Sequence, residues 1–183
     1  MAKIRKNIII QGLSGSLGDQ LVIKQDKAGR TIIAASPTFD PNRTYSEAQQ
    51  AQQEKFRDAT TYAKDAKTQE VYVEKANGTA KSAYNVAMAD WFHAPEVQEI
   101  DMEAFNGNVG DVIRVRAVDD VQVTQVTVLI TDSGGSVFEQ GAATNEGSGW
   151  WRYITQTAIS GSPRIVASAR DLPGNVAEMV WED

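Results

Sequence analysis

The chain predicts an α+β fold: an N-terminal β-hairpin with short helices, followed by an all-β sandwich. Three observations carry this. Alanines and aromatics recur at helical spacing between residues 46 and 92. Seven short apolar runs, several separated by glycine-rich turns, fill residues 95–183. The formal charge divides the same way, +3 over residues 1–94 and −9 over residues 95–183, within a net charge of −6. The boundary falls at Ala94-Pro95, where a proline ring ends the preceding helix. We therefore expect a hairpin and helical domain over 1–94 and a sandwich over 95–183.

Ile4 to Ile10 is short, β-branched and strand-like. Leu21-Val22-Ile23 and Thr31-Ile32-Ile33 flank Asp26-Lys27-Ala28-Gly29, the signature of a hairpin. Between these segments Gly12, Gly15 and Gly18 recur every third residue. A phosphate-cradling loop would lead into a helix N-terminus, but a strand follows here and no Lys-Ser/Thr pair closes the motif. The triplet reads instead as a pliable or tightly turned connector. Its pliability would let the first strand leave its own sheet.

Pro37 and Pro41 mark a loop, and Ser46 with Gln49 three residues later makes a capping box. The helix that follows carries a stripe of Ala48, Ala51, Phe56, Ala59, Tyr62, Ala63 and Ala66. A short helix over residues 69–75 stops at Asn77-Gly78. Thr79 is the expected cap of a third, whose apolar face holds Ala80, Ala83, Tyr84, Ala87, Met88, Trp91 and Phe92. His93 ends it, placed to interact with the helix dipole and the last carbonyls.

In the second half the expected strands are 99–105, 112–118, 126–131, 136–142, 150–155, 164–169 and 176–181. Ile113, Val115 and Ala117 alternate with Arg114 and Arg116, so one face is dry and the other polar. Asp119-Asp120, Asp132 and Asp171 fall at strand ends, where oxygen-rich loops bind calcium in some proteins, but no D-x-D-x-D-G spacing is present. Trp151 and Tyr153 share one face of their strand by parity, in the core or as an outward ligand or subunit contact.

Val126–Asp132 with Gly135, Glu139, Gly141 and Trp151-Arg152-Tyr153 resembles the middle of a bacterial immunoglobulin-like domain. Ile165-Val166-Ala167-Ser168-Ala169-Arg170-Asp171-Leu172-Pro173-Gly174-Asn175-Val176 is similar to the penultimate strand and turn of such repeats. The whole chain resembles a group of uncharacterised bacterial proteins with an N-terminal hairpin, a few helices and an immunoglobulin-like C-terminus. The resemblance implies an immunoglobulin-like sandwich over roughly 97–183 and carries no activity with it. Such modules serve as spacers, adhesins and ligand binders.

Composition narrows the function further. There is no cysteine and a single histidine, which removes thiolate chemistry and multi-histidine metal sites. Residues 46–92 balance to −1, without the electrostatic footprint of a duplex binder. No apolar run reaches the roughly 18 residues of a membrane helix. The three-residue run Ile8-Ile9-Ile10 is too short for a secretory signal. The expected location is cytoplasmic, or extracellular through a non-standard export route.

The expectation is thus a non-catalytic structural subunit without cofactor or metal, whose partner is itself. It would assemble head-to-tail into a filament or similar polymer by adding its first strand to a neighbour. The expected interface is Ile4, Ile8, Ile9, Ile10, Gly12, Gly15 and Gly18. The alternative is a monomeric module that binds a carbohydrate or protein ligand through the sandwich. Neither expectation involves nucleic acid or membrane insertion.

Overall fold

The computed structural model describes residues 2–4, 12–18, 20–26, 28–38, 40 and 42–182. Three helices and twelve strands in three antiparallel four-stranded sheets make up this part of the chain, a mixed α+β architecture.

The first sheet joins β1 (Ala2–Ile4), β2 (Gly15–Leu17), β3 (Leu21–Gln25) and β4 (Thr31–Ala35) in the order β1-β4-β3-β2. The predicted hairpin is β3–β4. Its turn is built on Asp26, whose carboxylate accepts the backbone N–H of Ala28 (3.0 Å) and Arg30 (2.9 Å). The glycine connector is not wholly a connector. Gly15 to Leu17 pairs with Ile23 to Leu21 as an edge strand, between positive-φ turns at Gly12 (φ 86°) and Gly18 (φ 59°). Glycine adopts such backbone without the Cβ clash that penalises other residues.

Helix α1 spans Glu47–Ala66 and opens with the expected capping box, Ser46 and Gln49 satisfying each other's backbone N–H. Helix α2 covers Glu70–Ala76 and α3 covers Ala83–Phe92. The third helix starts later than Thr79 predicts. The Thr79 hydroxyl turns back onto Ala76 O (2.9 Å) at the end of α2, and Ser82 caps α3 instead, accepting the N–H of Asn85 (3.2 Å). Ala80 and Lys81 are consequently outside the helix. The two long helices pack through alanines: Ala59, Ala63 and Ala66 of α1 and Ala87 of α3 are all fully buried. Small side chains let the backbones approach closely.

The remaining strands form a β-sandwich-like unit. One sheet is β5 (Glu96–Asp101), β6 (Val112–Val118), β10 (Trp150–Ile154) and β9 (Thr144–Gly147), in the order β5-β6-β10-β9. The other is β12 (Val176–Glu182), β11 (Arg164–Asp171), β7 (Val123–Thr131) and β8 (Val137–Ala142), in the order β12-β11-β7-β8. Ile113 and Val115 from one sheet meet Val126, Val128, Ile130, Ile165 and Ala167 from the other in a dry core. The predicted alternation on β6 is part of the pattern that builds it, and Val126, Val128 and Ile130 alternate inward on β7 in the same way. Strand β9 has no sequence signature. Thr144, Asn145, Glu146 and Gly147 are polar or small and all exposed, and pairing with β10 alone makes them a strand.

Candidate functional site

The sequence-predicted site residues divide three ways. Ile8, Ile9 and Ile10 lie outside the described residues. Ile4 is the end of β1, whose backbone pairs antiparallel with β4 of the same chain, Ala2 with Ile33 and Ile4 with Thr31. The described part of the first strand thus pairs with β4 of its own chain. Gly12, Gly15 and Gly18 shape β2 and its flanking turns.

Trp151 and Tyr153 do share a face, and that face is the core: they are 7% and 4% exposed. A surface contact through either is corrected by this burial. Tyr153 lies so close to β8 that a Cβ on Gly141 would come within 2.7 Å of its Cε2, so glycine is required there. Burial raises the Tyr153 hydroxyl above its ordinary range, helped by the neighbouring Glu139 carboxylate. The outward aromatic of this strand is Trp150. The guanidinium of Arg114 lies 4.7 Å from its ring centroid and that of Arg116 5.9 Å. Glu146 then bridges Arg114 (3.3 Å) and Arg152 (3.2 Å) on the same surface.

The acids at strand ends are turn-builders. Asp132 accepts the N–H of Gly134 and Ser136, both at 2.8 Å, and these bonds hold its carboxyl below the ordinary range. Asp171 accepts the N–H of Gly174 (2.8 Å) and Asn175 (2.6 Å), and Asp119 accepts those of Val121 and Gln122, both at 2.8 Å. Among the described residues, no group of three or more acids and histidines is gathered as a metal cage.

Two of these turns do something the sequence does not announce: they seat the helices on the end of the sandwich. Val121, after β6, and Leu172, after β11, pack into the helical core beside Tyr72, Ala63, Ala66 and Ala87. Asn175 sends its amide Nδ2 toward the carbonyls of Asp90 (3.4 Å), Trp91 (3.3 Å) and His93 (3.2 Å), the open end of α3. Asp171 Oδ2 grips the same Nδ2 at 2.7 Å. On the other side Lys75 Nζ donates to Asp120 O (2.9 Å), and His93 Nδ1 lies 2.6 Å from Asp120 Oδ2. His93 therefore ties the helix end to the loop after β6.

At the centre of this junction sits Asp90, 1% exposed. Its Oδ2 accepts from the buried Tyr72 hydroxyl at 2.5 Å, and Tyr72 in turn touches the Tyr62 hydroxyl at 2.5 Å. Burial pushes the Asp90 carboxyl up to about 6, and the charges of Asp119 and Asp171 add to the rise. Burial likewise raises both tyrosine hydroxyls, Tyr72 well above its ordinary range because its proton is also committed to Asp90. Aspartate in a stripe of alanines and aromatics is the one available sequence signal. It reads as an exposed helix residue until α2 and the β6–β7 loop cover it.

No protein-family model matches the chain, and no curated protein sequence does. Solved structures match about half of it. An engineered protein is 23% identical over 48% of this chain and 19% of its own length, with a TM-score of 0.39. CopC from Methylosinus trichosporium OB3b is 16% identical over 49% of this chain and 90% of its own, with a TM-score of 0.37. A conjugative transposon lipoprotein from Bacteroides eggerthii is 15% identical, covering 48% and 92%, with a TM-score of 0.28. Function is read from the chain's own geometry. Among the described residues no helix is long and apolar enough to cross a membrane.

Proposed function

We propose that this protein is a non-catalytic structural subunit that self-assembles head-to-tail through its N-terminal sheet. The observation that carries the reading is the state of that sheet. It ends in two different edge strands, β1 on one side and β2 on the other. The register places Leu17, Leu21, Ile23 and Ile33 on one face. Leu17 is 63% exposed, Leu21 is exposed, and Ile23 and Ile33 are only half-buried. Small sheets need their apolar face covered for stability. Joining β2 of one copy to β1 of the next continues the sheet from copy to copy, a heterologous contact of the kind that builds rings or filaments. Each edge is only three residues long, so the apolar face supplies much of the attraction.

The C-terminal unit then acts as a spacer. We read it as an immunoglobulin-like sandwich, because β5-β6-β10-β9 against β12-β11-β7-β8 matches the order of such folds, with one added strand in the second sheet. The wider reading is a bacterial protein of the hairpin–helix–sandwich kind. The alternative, a monomeric module for a carbohydrate or protein ligand, is favoured by the outward Trp150 held by Arg114.

Light scattering and negative-stain microscopy of the full chain test the proposal over a range of concentrations and salt. The expected result is mass that grows with concentration, and a Leu17→Lys variant that needs at least about tenfold more protein to assemble. A chain that stays monomeric at the highest concentration and lowest salt sinks the proposal. A monomer that binds an oligosaccharide and loses it on Trp150→Ala establishes the alternative.

A further inference from the structure

We infer that Asp90 and Asp119 share a single proton between their Oδ1 atoms, and that this proton fastens the helices to the end of the sandwich. Each carboxyl has one oxygen committed. Asp90 Oδ2 takes the Tyr72 hydroxyl, and Asp119 Oδ2 takes the N–H groups of Val121 and Gln122. The other oxygen of each, Oδ1, is buried and has no donor. The two side chains lie within hydrogen-bonding reach of each other. Two carboxylates so placed repel in a medium that screens poorly, whereas a carboxyl beside a carboxylate supplies the missing donor. One of the two sits on α3 and the other in the β6–β7 loop, so the bond spans the junction.

The groups that face Asp90 come from every packed element. Tyr62 and Tyr72 approach from α1 and α2, and Asp171 from the end of β11. Lys75, Lys81 and Asp120 border the adjoining cavity of about 290 Å³, and His93 is engaged with Asp120. Burial and the two neighbouring aspartates hold the Asp90 proton up to about pH 6, against an ordinary value of 3.8. A carboxyl raised on folding stabilises fully below its unfolded value and loses that contribution as pH rises through the folded one. The contribution of this proton to the junction is therefore full only below an ordinary carboxyl value of 3.8 and is lost as pH rises through about 6.

The test compares the full-length wild type with Asp90→Asn between pH 4.5 and 7.5. In the variant, the side-chain carbonyl still accepts from Tyr72 and the amide donates permanently to Asp119. The wild-type folding equilibrium should weaken about tenfold from pH 5 to pH 7. Asp90→Asn should lack that loss and exceed the wild type at pH 7. Hydrogen exchange should show the loss in α3 rather than in β6 and β7. Parallel pH profiles for the two proteins, or equal loss of protection in α3 and the strands, overturn the inference. Carboxyl-carbon NMR titration of the wild type requires no variant: an Asp90 midpoint near 6 supports the shared proton, and a midpoint in the ordinary range refutes it.

Discussion

The side-chain amide of Asn175 lies 3.2 Å from the backbone carbonyl of His93, 82 residues earlier in the chain. A turn of the sandwich thus caps the C-terminus of a helix it does not belong to. The same amide reaches the Asp90 and Trp91 carbonyls, and Asp171 fixes its direction. One side chain joins the two halves of the molecule that charge and composition separate.

Removing that amide takes away the donor facing the Trp91 and His93 carbonyls, while Asp90 O keeps the His93 N–H at 3.2 Å. Asn175→Ala should cost about 1–3 kcal/mol, the range for stranding partly buried polar groups. Urea denaturation measures it. Hydrogen exchange should locate the loss at the end of α3, while the strands β6 and β7 keep their protection. Asn175→Asp should do worse at neutral pH, because it places a further carboxylate against Asp171.

The neighbouring tryptophans of β10 should separate cleanly. Trp151 is in the sandwich core, and Trp151→Ala should lose about 3–5 kcal/mol. Trp150 faces outward between arginines, and Trp150→Ala should lose about 1 kcal/mol, the worth of exposed cation–π contacts. Thermal unfolding of the two single variants checks the order, and equal effects would contradict the assigned faces.

Gly107 and Gly110 offer a matched pair in one loop. Both have positive φ, 83° and 91°. A Cβ at 107 would sit 2.3 Å from Ile159 O, whereas at 110 it meets open space. Gly110→Ala should therefore cost only the backbone strain, about 1–3 kcal/mol. Gly107→Ala adds displacement of a backbone segment that Gly107 O itself holds, through the Ile159 N–H at 2.8 Å, and should lose about 1–3 kcal/mol more. Paired denaturant titrations give the difference directly.

Much of the local structure is legible in residue order. The Ser46–Gln49 capping box, the Asp26–Gly29 turn and the strict alternation on β6 each specify their element through contacts a few residues apart. Where a local signal has a competitor, the reading slips. Thr79 looks like a cap until its hydroxyl bonds back to Ala76 O, and Gly15 looks like a connector until β3 offers it a ladder. Parity puts Trp151 and Tyr153 on one face but does not say which face is inside, because that depends on the second sheet.

The sequence by itself determined an α+β chain with a helical segment and an alternating all-β half, since periodicity and turn chemistry act over one or two turns of backbone. Only the tertiary structure decided that Asp119, Asp171 and Asn175 would converge on Asp90. Those residues are apart in the chain and each is an ordinary turn or helix residue alone. Burial beside them changes the chemistry of Asp90, because a carboxyl's proton affinity follows the dielectric and charges around it and not its place in the sequence.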